Sequence, residues 1–285
     1  MISGASSAVY PARSLRFETH RQGAAGGCGM GERPMIEQEL HRAEDMNEAQ
    51  LAAYVIDLLH RMTVHHTLWF REVEHQLGFA RALAVMDEAW EKTRKVAVGR
   101  LAEELGFTET DGVPDALRTM PKEKLLRLID AVAKNWLAQD GLWFQSVEKA
   151  HGMNDAKRCN DSTWGRFSPF EAHAIKKLLG LGEHPGLDGL ERALGFRMYS
   201  RLNRQSCRRE NGALIFAMND CRVQSARVRK GLADYPCKSA GLVEYARFAE
   251  AIDDRIRTEC LGCPPDKHPP EWFCAWRFTL EDRER

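Results

Sequence analysis

Two cysteines stand two residues apart, Cys260 and Cys263 in T-E-C-L-G-C-P-P, a spacing that lets both thiolates reach one tetrahedral ion. A structural zinc site takes four such ligands, and no second C-x-x-C exists in the chain. Cys221 and Cys237 would have to complete the set by tertiary approach, with His268 and Cys274 as substitutes. Zinc is therefore the one cofactor these residues call for. The bland role competes directly, because cysteine is among the most buried residue types and packs as a small apolar side chain. A redox pair fits less well, since Pro264 and Pro265 follow Cys263 where a thiol-activating helix start would be needed. A cysteine nucleophile needs a base within hydrogen-bond reach, and one sequence does not place one.

Carboxylates form the second candidate set. Glu74 and Glu148, and likewise Asp87 and Asp161, occupy equivalent places in an internal repeat, each glutamate following a tryptophan (Trp69 or Trp143) on a helix. Four such acids, with His66 or His75 near, could act catalytically or line a metal site in a helical bundle. The Glu-x-x-His pattern of such bundles is not repeated: Glu148 has His151 three residues on, but Glu74 has Leu77. The plain alternative is that the acids cap helices or accept hydrogen bonds from indoles. A third candidate is Arg222, beside Cys221, whose planar fork matches a substrate carboxylate. It belongs to a basic run, Arg197 to Lys230, with nine basic residues and two acidic, which otherwise reads as a solvated face.

The elements that must hold these residues fall into two halves. Apolar residues at helical spacing run from Asn47 to Leu77, ending at Gly78, and a second helix ends at Gly106. A third starts near Pro121 and ends at Gly152, and S-P-F-E, with Ser168, Pro169 and Glu171, reads as the capped start of a fourth that ends at Gly180. Laid over itself so that Leu68 meets Leu142, the chain shows nine identities in 23 positions, among them Trp69 with Trp143 and Trp90 with Trp164. That is a duplicated helical hairpin. Beyond Leu190 the period changes to alternation around Asn211-Gly212, a hairpin turn, then two helical stretches and two further strands, D-R-I-R-T-E-C and E-W-F-C-A-W-R-F-T-L. The expected class is α+β, with a flexible extension over residues 1–34 that includes Cys28, a tandem helical repeat over 35–190 (68–106 related to 142–180) and a mainly antiparallel, cysteine-bearing module over 191–285.

Composition narrows the partners. Forty-one basic and 41 acidic residues cancel, so no general attraction to nucleic acid or to an anionic membrane is expected, and the aromatics interleaved with the basic run are few. No apolar run is long enough to span a bilayer and no secretory leader is evident, which points to the cytoplasm and to reduced thiols. A small-molecule ligand is the expected partner.

The segments L-W-F-R-E-V-E-H-Q-L-G, R-C-N-D-S-T-W-G-R-F-S-P-F-E-A, M-N-D-C-R-V-Q-S-A-R-V-R-K-G and T-E-C-L-G-C-P-P-D resemble a family of bacterial cytosolic proteins with no assigned activity, over roughly residues 47 to 280. The last 80 residues, with their strand, cysteine pair and C-x-W-x-F strand, are also similar to the L-2-amino-thiazoline-4-carboxylic acid hydrolases and to the vinyl-reductase-type small-molecule-binding domains. No catalytic residue carries over from either. What the resemblance implies is a hydrolase-like protein acting on a small carboxylate-bearing compound, with its pocket between the helical repeat and the cysteine-bearing module. The alternative is a non-catalytic sensor or binding protein whose cysteines hold a structural zinc.

Overall fold

A computed structural model describes residues 40–229, 231 and 234–281; the extension expected over residues 1–34, with Cys28, lies outside the described residues. They divide into two compact units, one ending at Thr63 and one running from Val64 onward.

Helix α1 spans Glu48–Leu77 and α2 spans Phe79–Leu105; α4 spans Lys122–His151 and α5 spans Met153–Leu179. Each helix of the second pair repeats its counterpart in length, 30 residues for the first member and 27 for the second. The duplication read from the tryptophans therefore extends to every helix boundary. Glycine sets those boundaries: Gly78 and Gly152 separate the paired helices at φ +87° and +88°, and Gly106 and Gly180 end the second members in the left-handed conformation. A side chain at these φ values would be strained.

The start expected for the fourth helix at Ser168 is corrected. Pro169 lies inside α5, which begins at Met153, directly after Gly152. Packing overrides the local signal here: Trp164, Ala172 and Ile175 are buried on both sides of the proline, and Glu171 does not cap but binds Arg197. Between the hairpins lie a two-stranded ribbon, β1 (Glu109–Thr110) with β2 (Val113–Pro114), and the single turn α3 (Asp115–Arg118).

After the short helix α6 (Gly186–Leu194) come β3 (Arg204–Glu210), β4 (Ala213–Asp220), α7 (Arg222–Arg229), α8 (Lys238–Ile252), β5 (Ile256–Gly262) and β6 (Cys274–Leu280). The four strands form an antiparallel sheet in the order β3-β4-β6-β5, with Asn211 and Gly212 at positive φ in the β3–β4 turn. This is the α+β architecture, helices first and antiparallel sheet last. Leu214, Phe216 and Met218 of β4 meet Trp276 and Phe278 of β6 in one core with Tyr245, Phe248 and Ile252 of α8 and with Ala172 and Ile175 of α5. The second hairpin thus shares its core with the sheet. Two glycines permit the close approach: a Cβ on Gly165 would lie 3.1 Å from Val243, and one on Gly241 would lie 2.8 Å from the Trp276 ring. No helix among the described residues is long and apolar enough to cross a membrane.

Candidate functional site

Where α4 and α5 face α8 and the ends of β4 and β6, the packing leaves a cavity of about 500 Å³. Five aromatic side chains line it: Phe144 from α4, Trp164 from α5, Tyr199 from the 3-10 turn after α6, Tyr235 from the segment before α8, and Tyr245 from α8. Trp164 and Tyr199 stack at 5.6 Å, and Phe144 meets Tyr235 edge to face at 5.3 Å. Into this apolar box project the carboxyls of Asp140, Glu148 and Glu244 and the side chain of Arg227. A second cavity of about 460 Å³ in the seam between α4 and α5 shares Asp140, Phe144, Asn160 and Trp164 with the first.

Asp140 is part-buried and makes no hydrogen bond or ion pair with any described residue, and burial raises its pKa. Glu244 is held differently. Arg197, only 2% exposed, donates from Nε to Glu171 at 2.8 Å and places Nη1 2.7 Å from Glu244 Oε1, with the faces of Phe248, Tyr245 and Tyr199 around its guanidinium. The Glu244 contact is close but off the hydrogen-bonding direction, so Oε1 stays without a hydrogen-bond partner. Burial outweighs the neighbouring arginine and pushes the Glu244 carboxyl up to about 7. Burial likewise raises Tyr199 and Tyr245, keeping both phenols neutral.

Of the cysteines expected to share an ion, Cys221, Cys237 and Cys263 border this cavity and are joined by Cys274; Cys260 packs beside the core without lining the cavity. The C-L-G-C spacing is altered by a register shift between Cys260 and Gly262, which ends the strand and lets Cys263 sink to 1% exposure. Gly262 is needed there, since a Cβ would lie 2.9 Å from Trp272. Cys237 is occupied by its own surroundings, accepting from Gln224 Nε2 at 3.0 Å and donating to the Tyr235 carbonyl at 3.3 Å. Burial lifts Cys221 to about 11 and Cys237 higher, and Cys274 is raised by its contact with Cys263 and then by burial. Neutral thiols are poor nucleophiles. Among the described residues the one group of three or more His, Cys, Asp or Glu side chains with ligand atoms within 4.8 Å of one another is His184, Asp253 and Asp254, and it contains no cysteine. Its Asp253 carboxylate is already bonded to Arg255 and to the Gly186 backbone N–H.

The four repeated acids are not brought to one site. Glu148 lines the cavity, and Asp161 lies 3.7 Å from Lys157 on its own helix. Glu74 accepts from Arg166 of α5 at 3.0 Å, while Asp87 takes both His173 at 3.0 Å and Lys177 at 3.2 Å. Burial of Asp87 is more than offset by these hydrogen bonds, and its pKa is lowered. Glu74, Arg166, His173 and Lys177 border a larger, open cleft of about 790 Å³. The charges there already serve one another, so the cleft is a weaker candidate for ligand chemistry. His66 meets Trp90 edge to face on the outer surface. Arg222 is exposed and does not line the aromatic cavity; its backbone N–H caps onto Asn203 Oδ1 at 2.8 Å.

The sequence alone did not reveal Asp140, Glu244 or Arg197. Position 140 is matched by His66 in the first hairpin, so the repeat that exposed Glu148 hid its neighbour. A family model, described as a family of unknown function (DUF6125), matches the chain over residues 44–121 and 118–280. The two matched segments meet between the hairpins, just before α4 begins. No curated protein and no solved structure matches, and neither the amino-thiazoline-carboxylate hydrolase nor the vinyl-reductase-type resemblance gains support.

Proposed function

The chain belongs to that family of unknown function, and we propose that it binds a small organic molecule bearing a protonated amine or amidine in the aromatic cavity. One observation carries this reading: Asp140, a part-buried carboxyl with no partner among the described residues, faces a box of Phe144, Trp164, Tyr199 and Tyr235. Leaving a carboxylate half-desolvated is unfavourable unless something pairs with it. A cationic nitrogen would pair with it and would also be attracted by the ring faces. Glu148, which also lines the cavity, adds an acceptor for its N–H groups. A carboxylate-bearing ligand, the expectation from sequence, would meet three carboxyls here against the single cation of Arg227, and no help from Arg222. Pocket size and lining are those of small-molecule sites generally.

Glu244 favours a second reading, acid–base hydrolysis of the same ligand class. A carboxyl with a pKa of about 7 can take a proton from an attacking water and return it to a leaving nitrogen.

The test compares phenethylamine and benzamidine with phenethyl alcohol and phenylacetate, read by Trp fluorescence and thermal shift, in the wild-type chain and in Asp140→Asn. Tighter binding of the two cations, lost tenfold or more in Asp140→Asn, is expected. Equal binding of phenylacetate, or cation binding unchanged in the variant, would sink the proposal. Release of ammonia from benzamidine, abolished in Glu244→Gln, would select the hydrolytic reading.

A further inference from the structure

Asp140 and Phe144 lie one turn apart on α4, and Asn160 and Trp164 lie one turn apart on α5. All four line both the aromatic cavity and the seam cavity, so a single rung of side chains stands between the two spaces. Two of the four are polar. Like Asp140, Asn160 is part-buried, and its side-chain amide makes no hydrogen bond with any described residue. The hairpin itself does not demand this pair, because the equivalent positions of the first hairpin are His66 and Met86. A half-desolvated amide beside a half-desolvated carboxyl is unfavourable unless something bonds to both. Beyond the rung the chemistry changes. The seam holds no charged side chain besides Asp140, and its walls include Trp136 and Phe167, stacked at 5.9 Å. Its outer end is open, since Trp143 is 68% exposed and Cys159 is exposed as well.

Building on the amine-binding reading above, on which this rests, we infer that the ligand is a secondary amine with two arms: its nitrogen sits at Asp140 and Asn160, one arm fills the aromatic cavity, and an uncharged aromatic arm fills the seam. The place of the carboxyl argues for it. Asp140 stands where the two spaces meet rather than at the end of either, so a primary amine held there would fill one and leave the other empty. A secondary ammonium has two N–H donors and two substituents. One donor suits the Asp140 carboxylate and the other the Asn160 amide oxygen, while the substituents leave on opposite sides of the rung. A quaternary ammonium would leave the Asn160 amide unbonded. Volume agrees, because the cavities of about 500 and 460 Å³ each fall in the lower part of the ~300–1,000 Å³ range of small-molecule sites and jointly approach its top. The seam selects an aromatic, uncharged arm: Trp136, Trp143 and Phe167 offer ring surface, and no side chain there would pair with a charge on that arm.

The experiment titrates phenethylamine and N-benzylphenethylamine, which adds a second aromatic arm to the same nitrogen, into the full chain by calorimetry. Iodoacetamide alkylation of Cys159, at the open end of the seam, is followed in parallel by peptide mapping. N-benzylphenethylamine should bind one per chain and at least about tenfold more tightly, the gain from burying one more ring, and should protect Cys159. Phenethylamine should leave Cys159 reactive. Thr163→Trp, at an exposed position of the seam, puts a ring of the protein's own into that space and should bring the two affinities together, with circular dichroism as the folding control. Four results would overturn the inference while leaving the amine reading in place: no tighter binding of N-benzylphenethylamine, Cys159 alkylated equally with either amine bound, two phenethylamines held per chain, or an affinity ratio unchanged in folded Thr163→Trp. Phenethylamine that fails to bind, or that binds Asp140→Asn as well as wild type, would overturn the amine reading and the two-armed ligand with it.

Discussion

Arg197 and Glu244 meet at 2.7 Å in the wall of the aromatic cavity, both almost fully buried, and the arginine is shared with Glu171 on the opposite helix. The cation does not keep Glu244 acidic, because burial raises its carboxyl from 4.5 to about 7. The folded chain thus holds a proton that the unfolded chain releases between these two values, so stability falls as pH rises through that window and levels off above it. Glu244→Gln should flatten this slope. The expected difference in pH dependence is on the order of 3 kcal/mol at most, reduced by what Arg197 loses in pairing. Urea unfolding of both proteins at pH 5 and pH 8 measures it, and parallel pH profiles would contradict the assignment.

Asp140→Asn is expected to stabilise the ligand-free protein while removing amine binding. Burial raises the Asp140 pKa, so its ionised form costs stability as pH rises, and the neutral amide does not carry that cost. The gain should be small, on the order of 0.5 kcal/mol, because a part-buried carboxyl is still screened by solvent. Thermal denaturation at pH 8 is the measurement. A site that trades stability for binding gives opposite signs in the two assays, whereas a merely structural carboxyl would lower both.

What the sequence disclosed was periodic or local. The hairpin duplication was legible because Gly78 and Gly152, and the tryptophans at equivalent positions, are residue types that few other side chains replace. The Asn211-Gly212 turn was legible for the same reason. The buried set was not, because Glu171, Arg197 and Glu244 are brought together only when α5 packs on α8. Pro169 misled, since a proline that starts an isolated helix is tolerated inside a packed one. The cysteines were half legible: Cys274 replaces Cys260 at the cavity because a one-residue register shift, invisible in the spacing, ends β5 at Gly262.

Thiol reactivity should follow burial. Cys159 is exposed on α5, whereas Cys221, Cys237 and Cys274 are held protonated and Cys263 is buried. In a chain carrying Cys28→Ser, iodoacetamide at pH 7.5 is expected to modify Cys159 first, with the cavity cysteines at least tenfold slower until denaturant is added. Peptide mapping by mass spectrometry reads the order. Metal analysis of the same preparation is the counter-test: one tightly held zinc per chain, lost in Cys221→Ser or Cys237→Ser, would show that the thiols ionise around an ion after all.

The fold's junction rests on Asp253. Its buried carboxylate accepts from Arg255 Nε at 2.9 Å, from Arg255 Nη2 at 2.8 Å and from the Gly186 backbone N–H at 2.9 Å, tying the end of α8 to the first residue of α6 and to the chain entering β5. The Arg255 hydrogen bonds, acting against burial, hold the carboxyl well below its ordinary value. A depressed folded-state pKa contributes stability that is present above the unfolded value of 3.8 and is lost as pH falls further. Asp253→Asn keeps the size but removes the charge, and should cost about 1.5–3 kcal/mol at pH 7. The cost should shrink toward zero as both proteins are titrated below pH 3. Because α6 supplies Leu190 and Leu194 to the core beneath the sheet, the loss should appear in the cooperative unfolding of the whole module rather than as local fraying. Denaturant unfolding at pH 7 and about pH 1.5 decides it, because the charge contribution is lost only as pH falls from the unfolded value through the depressed folded one: a penalty that is the same at both would mean that packing, not the charge, fixes this junction.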